Sequence, residues 1–272
     1  MSKKKTAWER MLLVREKERP TIRDYIPLVF DEFWEMHGDR FYGDDGAVLG
    51  GIAVLDGIPV TVIAQVKGRS LEENKQSNFA MPHPEGYRKA LRLMKQAEKF
   101  HRPVVCFIDT PGAFCGVEAE ERGQGEAIAR NLFEMMELRT PILSIVLGEG
   151  GSGGALALGV ADRVAMLENA LYSVISPRGF ASILWKDASR EQEAADIMRI
   201  TAEDLVGFGV AEDIILEPAG GAHRDPEKMA ASLREYVKET ILKFAEFPIE
   251  KLLESRYDRF RKIGEFTTAQ SD

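Results

Sequence analysis

Residues Pro141–Asp162 read PILSIVLGEGGSGGALALGVAD. The opening run, with β-branched Ile142, Ile145 and Val146, predicts a buried strand over Pro141–Leu147. The small and apolar residues from Ser152 to Ala161 predict a short helix. Between these elements lies Gly148–Ala157, in which five of ten residues are glycine. Glycine lets another backbone or a ligand come close, and it makes φ > 0 accessible. The first N–H groups of the following helix have no internal partners and sit at its positive end. Strand, glycine-rich loop and helix therefore predict a socket for negative charge.

A second loop of the same kind precedes it. Pro103–Ile108 reads as a buried strand, Asp109–Gly116 as a loop with a Pro111-Gly112 turn, and Gly123–Leu138 as a helix. Both loops follow the C-terminal ends of buried strands, where α/β proteins place their sites. Backbone N–H groups from neighbouring loops converging on one oxygen make an oxyanion hole. Further strands are predicted at Arg163–Leu167, Leu171–Ile175 and near Glu212–Leu216, and a hairpin joins Val48–Leu55 to Val60–Val66 across Asp56-Gly57. Helices are predicted over Thr6–Arg19, stopped by Pro20, and over Thr21–His37, Glu85–His101, much of the chain after Pro177, and Pro226–Ser255. Arg69–Pro84 reads as a loop, and the last few residues as frayed. Alternating strands and helices mean an α/β class, and one domain with helical flanks.

Composition sets outer limits. The 272 residues suffice for one large domain or two small ones. With 36 Lys and Arg against 44 Asp and Glu, the net charge of −8 argues against nucleic acid as the main ligand. No run of about 18 apolar residues offers a membrane span. The basic start has no apolar stretch behind it, so no secretory signal is expected and the cytoplasm is the expected compartment. Cys106 and Cys115 cannot make a disulfide scaffold, and nothing has the Cys/His spacing of a structural zinc site. His37, His83, His101 and His223 are scattered.

Several readings of the glycine-rich stretch compete. Gly148, Gly150 and Gly153 satisfy G-x-G-x-x-G, and Glu168 lies about 20 residues on, where a ribose-binding acid would be. Only about ten residues separate the loop from the next strand, which is short for a dinucleotide-binding crossover. Gly150-x-Ser152-x-Gly154 matches a nucleophile elbow, the mark of a serine hydrolase built on Ser152, with His223 as the downstream histidine. Glycines that merely allow tight helix–strand packing are the bland alternative. Likewise Lys67, Arg69, Lys75, Arg88, Lys89, Arg92 and Lys95 read either as contacts for anions or, preferably, as a solvated face.

Longer segments carry a resemblance. FIDTPGAFCGVEAEERGQGEAIARNL (Phe107–Leu132), GEGGSGGALALGVADRVAMLENALYSVISPRGFASILWKD (Gly148–Asp187), EPAGGAHRDP (Glu217–Pro226), FDEFWEMHGDRFYGDD (Phe30–Asp45) and MPHPEGYRKALRLM (Met81–Met94) occur in this order. They closely resemble the α-subunit family of bacterial acetyl-CoA carboxylase carboxyltransferases, from about Arg19 to Tyr257.

The resemblance implies a crotonase/ClpP-like superhelix of ββα units. Its helical flanks would divide the chain into an N-terminal segment 1–45, a carboxyltransferase domain 46–258 and a tail 259–272. It implies transfer of the carboxyl group from carboxybiotin, on a biotin carboxyl carrier protein, to acetyl-CoA. The product would be malonyl-CoA for fatty acid biosynthesis. Activity would require a β subunit, in an α2β2 assembly joined by biotin carboxylase in the full complex. The family's zinc ribbon belongs to β, so no metal is expected in this chain. By the same resemblance the N–H groups of Gly153 and Gly154 form the oxyanion pair. Gly150 and Gly151 line the substrate site, Ala113 and Phe114 offer a further amide, and Ser152 is no nucleophile. Departures are a shorter N-terminus, which bears on contacts made by the helical extension of some relatives, and Arg178 for Glu, Phe180 for Cys and Phe114-Cys115 for Tyr-Pro, which bear on the shape of the pocket.

Overall fold

The computed structural model describes residues 4–264; the frayed end expected at the C-terminus lies outside them. An eight-stranded sheet has the order β1-β2-β3-β4-β5-β6-β8, with β7 paired to the end of β5. The strands are β1 Glu32–Glu35, β2 Val48–Leu55, β3 Ile58–Gln65, β4 Val104–Thr110, β5 Ile142–Gly151, β6 Arg163–Leu167, β7 Leu171–Ser173 and β8 Asp213–Ile215. The β2–β3 hairpin turns at Asp56 (φ 50°) and Gly57 (φ 79°), as its Asp-Gly pair predicts. Beyond β3 every pairing is parallel. All seven residues of β4 are buried, which is why its sequence reads as an apolar run without alternation.

The crossover between β3 and β4 contains the helix Pro84–Lys99, with Pro84 in its first turn and Tyr87, Ala90, Leu93, Met94 and Ala97 buried. Helix Gln124–Glu137 crosses from β4 to β5. β5 thus lies inside the sheet, and its C-terminal end, next to that of β4, is fixed by partners on both sides.

Several sequence expectations are corrected. The helix expected over Thr21–His37 stops at Val29; Phe30 is extended and Glu32–Glu35 pairs with β2 as an edge strand. The open edge of β2 outweighs the local helical period, and Phe33 and Trp34 suit a strand. The first helix spans only Ala7–Val14, because the chain must then turn to bury Arg19. The Arg69–Pro84 loop contains a helix, Leu71–Gln76, capped by Ser70. Pro226–Ser255 is two helices, Pro226–Ala245 and Ile249–Arg261, parted at Pro248. β7 is shorter than expected, and β5 is longer, running through the glycines to Gly151.

Buried charge pairs hold the flanks to the sheet. Arg19 grips Glu217 through both its terminal nitrogens (2.9 and 2.8 Å) and donates to the Leu147 carbonyl (2.7 Å). Arg256 is wholly buried, pairs with both oxygens of Asp162 (2.8 Å each), and donates to the carbonyls of Met135, Leu138 and Thr140. The last helix therefore closes the C-terminal end of Gln124–Glu137, whose carbonyls would otherwise lack donors. On the opposite flank, partial burial pushes the Asp44 carboxyl up, but Lys89, the Gly38 amide and His37 outweigh it and hold it down to about 2.

Arg256→Met leaves Asp162 buried without its partner, so a loss of about 3–5 kcal/mol in urea unfolding is expected. Wild-type stability in that variant would refute the clamp. Asp44 has a folded pKa below its unfolded one, so its contribution is complete above about pH 4 and is lost as pH falls towards 2. The melting-temperature gap between wild type and Asp44→Asn is therefore expected to close on acidification; a gap independent of pH would contradict this.

Candidate active site

The ends of β4 and β5 are joined before any loop begins. The Glu149 N–H donates to Asp109 Oδ1 (3.0 Å), across a register shift between Ile108 and Thr110. A Cβ on Gly148 would lie 2.6 Å from that same oxygen, so glycine is what admits the carboxylate. At Gly150 a Cβ would meet the Tyr172 ring at 2.8 Å. Further along, backbone meets backbone. A Cβ on Gly151 would overlap the Pro111 carbonyl and lie 2.8 Å from Gly112 N. One on Gly154 would overlap the Ala113 nitrogen and lie 2.6 Å from the Gly112 carbonyl carbon. Gly153 is different, because its nearest neighbour would be Ile128 Cγ2 at 3.8 Å, an ordinary contact.

The structure thus brings Gly151 and Gly154 against Pro111–Ala113, while Gly150 faces Tyr172 and Gly153 faces the helix Gln124–Glu137. Among the described residues the Ala113 N–H has no acceptor, and those of Gly153 and Gly154 lie in the first turn of the helix Ser152–Leu156, where N–H groups have no intrahelical partner. Phe114 does not share that property: its N–H donates to the Pro82 carbonyl (3.0 Å), and its ring stacks on His83 with centroids 4.2 Å apart. Of the Ala113–Phe114 pair expected from sequence, only Ala113 retains a free amide.

The socket is less a helix terminus than the sequence suggests. Gly148–Gly151 belong to β5, and the following helix, Ser152–Leu156, has five residues. Individual amides rather than a long helix dipole would carry the charge stabilisation. This also removes the dinucleotide reading, which needs a turn at the first glycine and a full crossover helix. Glu168 accepts a hydrogen bond from the Glu217 N–H (3.2 Å) and so serves the fold.

Ser152 stands exposed at the strand-to-helix corner with φ 51°, the strained backbone of an elbow. It has no base. His37 pairs with Asp44, His83 with Asn78, and His223 sits over Gly221; among the described residues Ser152 Oγ has no hydrogen-bond partner. A hydrolase built on Ser152 is not favoured.

A cleft of about 70 Å³ lies beside these glycines, with Met11, Arg15, Glu149 and Ser152 in its wall. Burial pushes the Glu149 carboxyl up, but Arg15 (2.7 Å) and Lys67 (3.4 Å) outweigh it and hold it below the usual range. The basic stretch singled out from sequence is largely paired: Arg69 with Asp24, Arg88 with Asp39, Lys89 with Asp44, and Lys95 with Glu134. Sequence reasoning assigned no role to Gln65, Thr110 or Arg19, which hold the backbone of the site; Thr110 lies within the motif Phe107–Leu132, but nothing there singles out its hydroxyl, and Gln65 lies outside every such motif. Among the described residues no three His, Cys, Asp or Glu side chains cluster as a metal site would need, and no helix is long and apolar enough to cross a membrane.

This geometry has counterparts. Residues 1–264 match the family described as acetyl co-enzyme A carboxylase carboxyltransferase-like. The chain is 59% identical over 265 residues to the acetyl-coenzyme A carboxylase carboxyl transferase subunit alpha of Clostridium acetobutylicum, covering 97% of each. It is 55% identical over 266 residues to the fused subunits beta/alpha of Clostridium tetani, covering 98% of this chain and 46% of that one. Among solved structures, transcarboxylase 12S aligns over 90% of this chain and 45% of its own with a TM-score of 0.70 at 19% identity. The beta subunit of Pseudomonas aeruginosa geranyl-CoA carboxylase aligns over 90% and 46% with a TM-score of 0.66 at 17% identity. Those likenesses show a shared fold, the crotonase-like one of carboxyltransferases. By sequence over nearly its whole length, the chain belongs to the acetyl-CoA carboxylase carboxyltransferase family.

Proposed function

We propose that this chain is the α subunit of an acetyl-CoA carboxylase carboxyltransferase, and that its backbone amides stabilise the charge that develops during carboxyl transfer to acetyl-CoA, yielding malonyl-CoA for fatty acid biosynthesis. The reading rests above all on one observation: Gly154 and Ala113, at the ends of adjacent parallel strands, touch with their N–H groups unpaired. Such donors are worth most where charge appears in the transition state, because they are oriented beforehand. Carboxybiotin, carried on a biotin carboxyl carrier protein, supplies the carboxyl group when bound. The lack of a side chain at Gly151 and Gly154 lets the Pro111–Ala113 backbone lie directly against them, which any Cβ there would prevent. Gly150, Gly151 and Ala113 line the approach, and Gly153 and Gly154 donate. No side chain in the site has to act as nucleophile.

A cleft of about 70 Å³ is far smaller than a CoA thioester requires, so this chain supplies one wall of a site that a second subunit completes. A β subunit fits that role, since a relative carries beta and alpha in one polypeptide. We assign the expected zinc, and most of the acetyl-CoA contacts, to β. An α2β2 complex acting in the cytoplasm with the carrier protein and biotin carboxylase completes the proposal.

The purified chain mixed with its β subunit is expected to carboxylate free biotin from malonyl-CoA, while either subunit alone does not. Absence of turnover in the mixture would overturn the assignment. Gly154→Ala drives a methyl into the Ala113 nitrogen, and a loss of about a hundredfold in kcat is expected with the circular dichroism spectrum retained. Gly153→Ala meets only ordinary contact and should melt with the wild type. Full activity in Gly154→Ala would remove that residue from the mechanism.

A further inference from the structure

A glycine that presents an N–H at a defined angle has a difficulty that other residues lack: its own φ and ψ are nearly free. The direction of its amide must be imposed by whatever holds the peptide planes on either side. At Gly154 those holders can be named. The plane before it is held by the helix, because the Gly153 carbonyl accepts from the Ala157 N–H (3.0 Å). Among the described residues, the carbonyl of the plane after it has no backbone donor. The Leu158 N–H goes to Ala155 (3.1 Å), so the backbone ladder passes over the Gly154 carbonyl. That carbonyl is taken by a side chain instead: Gln65 Nε2, from the last residue of β3, donates to it at 2.7 Å. Since the acceptor is a carbonyl, the amide end of Gln65 must be the donor.

The other half of the site repeats the arrangement. The Gly112 N–H donates to the Thr110 hydroxyl (3.0 Å), whose single proton faces the Ala80 carbonyl (2.5 Å) with the Gly112 carbonyl as its farther acceptor (2.8 Å), so Thr110 pins the turn whose next plane carries the Ala113 N–H. The plane after Ala113 is held by the Phe114 N–H on the Pro82 carbonyl (3.0 Å). A second buried glutamine then ties these together. Gln124 Nε2 donates to both the Pro82 carbonyl (2.9 Å) and the Phe114 carbonyl (2.8 Å).

Both glutamines are almost fully buried, at 1% and 4% exposure. In both, Oε1 is buried and has no donor among the described residues. Packing alone would favour an apolar side chain of the same volume, since a buried acceptor without a donor is unfavourable. What Gln65 offers in return is a donor to the Gly154 carbonyl, and what Gln124 offers is a pair of donors to the Pro82 and Phe114 carbonyls that flank Ala113.

We propose that Gln65 and Gln124 are positioning residues for the carboxyltransferase reaction, fixing the directions of the Gly154 and Ala113 N–H groups. The inference rests on the function proposed above, and neither side chain touches substrate. Gln65 acts from β3, so Gly154, in the helix that follows β5, is held from a strand two places away from β5 in the sheet.

The test uses methionine, which keeps the length and volume of glutamine and removes the donor. In the α–β complex, Gln65→Met and Gln124→Met are expected to lower kcat about tenfold to a hundredfold, with KM for malonyl-CoA within about twofold of wild type. A role in general packing would instead lower the melting temperature and move both parameters together. Gln65→Asn keeps the amide on a shorter arm that cannot reach Gly154. It serves if the methionine variant does not fold, and it too should lose kcat. An activity-independent arm uses the α chain labelled with 15N-glycine. Gln65→Met should shift or broaden the Gly153 and Gly154 amide signals and leave those of Gly57 and Gly209 in place. Unchanged kcat in the folded variants, or unmoved Gly154 signals, overturns the inference. An inactive wild-type complex would instead count against the function, and the glycine signals would still decide the positioning role.

Discussion

Everything at the site follows from a contact between main chains with no side chain in it. Gly151 and Gly154 lie against Pro111, Gly112 and Ala113 so closely that one methyl group would separate them. Two backbones can come this near only when each is held from behind. The β4–β5 pairing aligns the strands, Asp109 ties their ends by accepting from Glu149, and Arg19 anchors the Leu147 carbonyl. The rest of the fold supplies the restraint that makes such an approach permanent. Because the contact uses backbone, its chemistry depends on which residues have no side chain.

This explains what the sequence reveals and what it hides. The parallel core was legible, since buried strands such as β4 are continuous apolar runs and the crossover helices keep their period. The Asp56-Gly57 hairpin was legible from turn chemistry alone. The misreading at Glu32–Glu35 has a physical cause: an edge strand forms where a partner needs covering, and that partner lies almost twenty residues further along the chain. The glycines were legible as a cluster, but not their division of labour. Gly148, Gly150, Gly151 and Gly154 each admit a different neighbour, and Gly153 admits none closely. A string of identical letters cannot carry that distinction; three-dimensional surroundings do. Gln65 was invisible for a related reason, because its partner is a carbonyl 89 residues away and has no signature.

Charge in this molecule is used mostly for assembly. Many of the cations that look like a ligand surface in sequence are neutralised by carboxylates from other elements, as with Arg88 on Asp39 and Arg122 on Glu85. Asp39 goes further and accepts from the amides of Phe41, Tyr42 and Gly43, fixing the turn that leads into β2. At the site itself the charges are paired as well, Glu149 with Arg15 and Lys67. This suits donors whose strength depends on low local polarity rather than on net charge.

The pairing of Arg19 with Glu217 also bears on how the chain comes to fold. The partners are 198 residues apart, yet the same arginine steadies the strand that leads into the glycines. Contacts of such separation form late, after the entropy of closing a long loop has been overcome. During synthesis the amides of β4 and β5 will have emerged long before residue 217 arrives to complete the clamp. Until then the chain lacks the clamp through which Arg19 steadies the strand leading into the glycines. Competence is thereby coupled to completeness: a truncated product retains the glycine motif but not the restraint that gives it meaning.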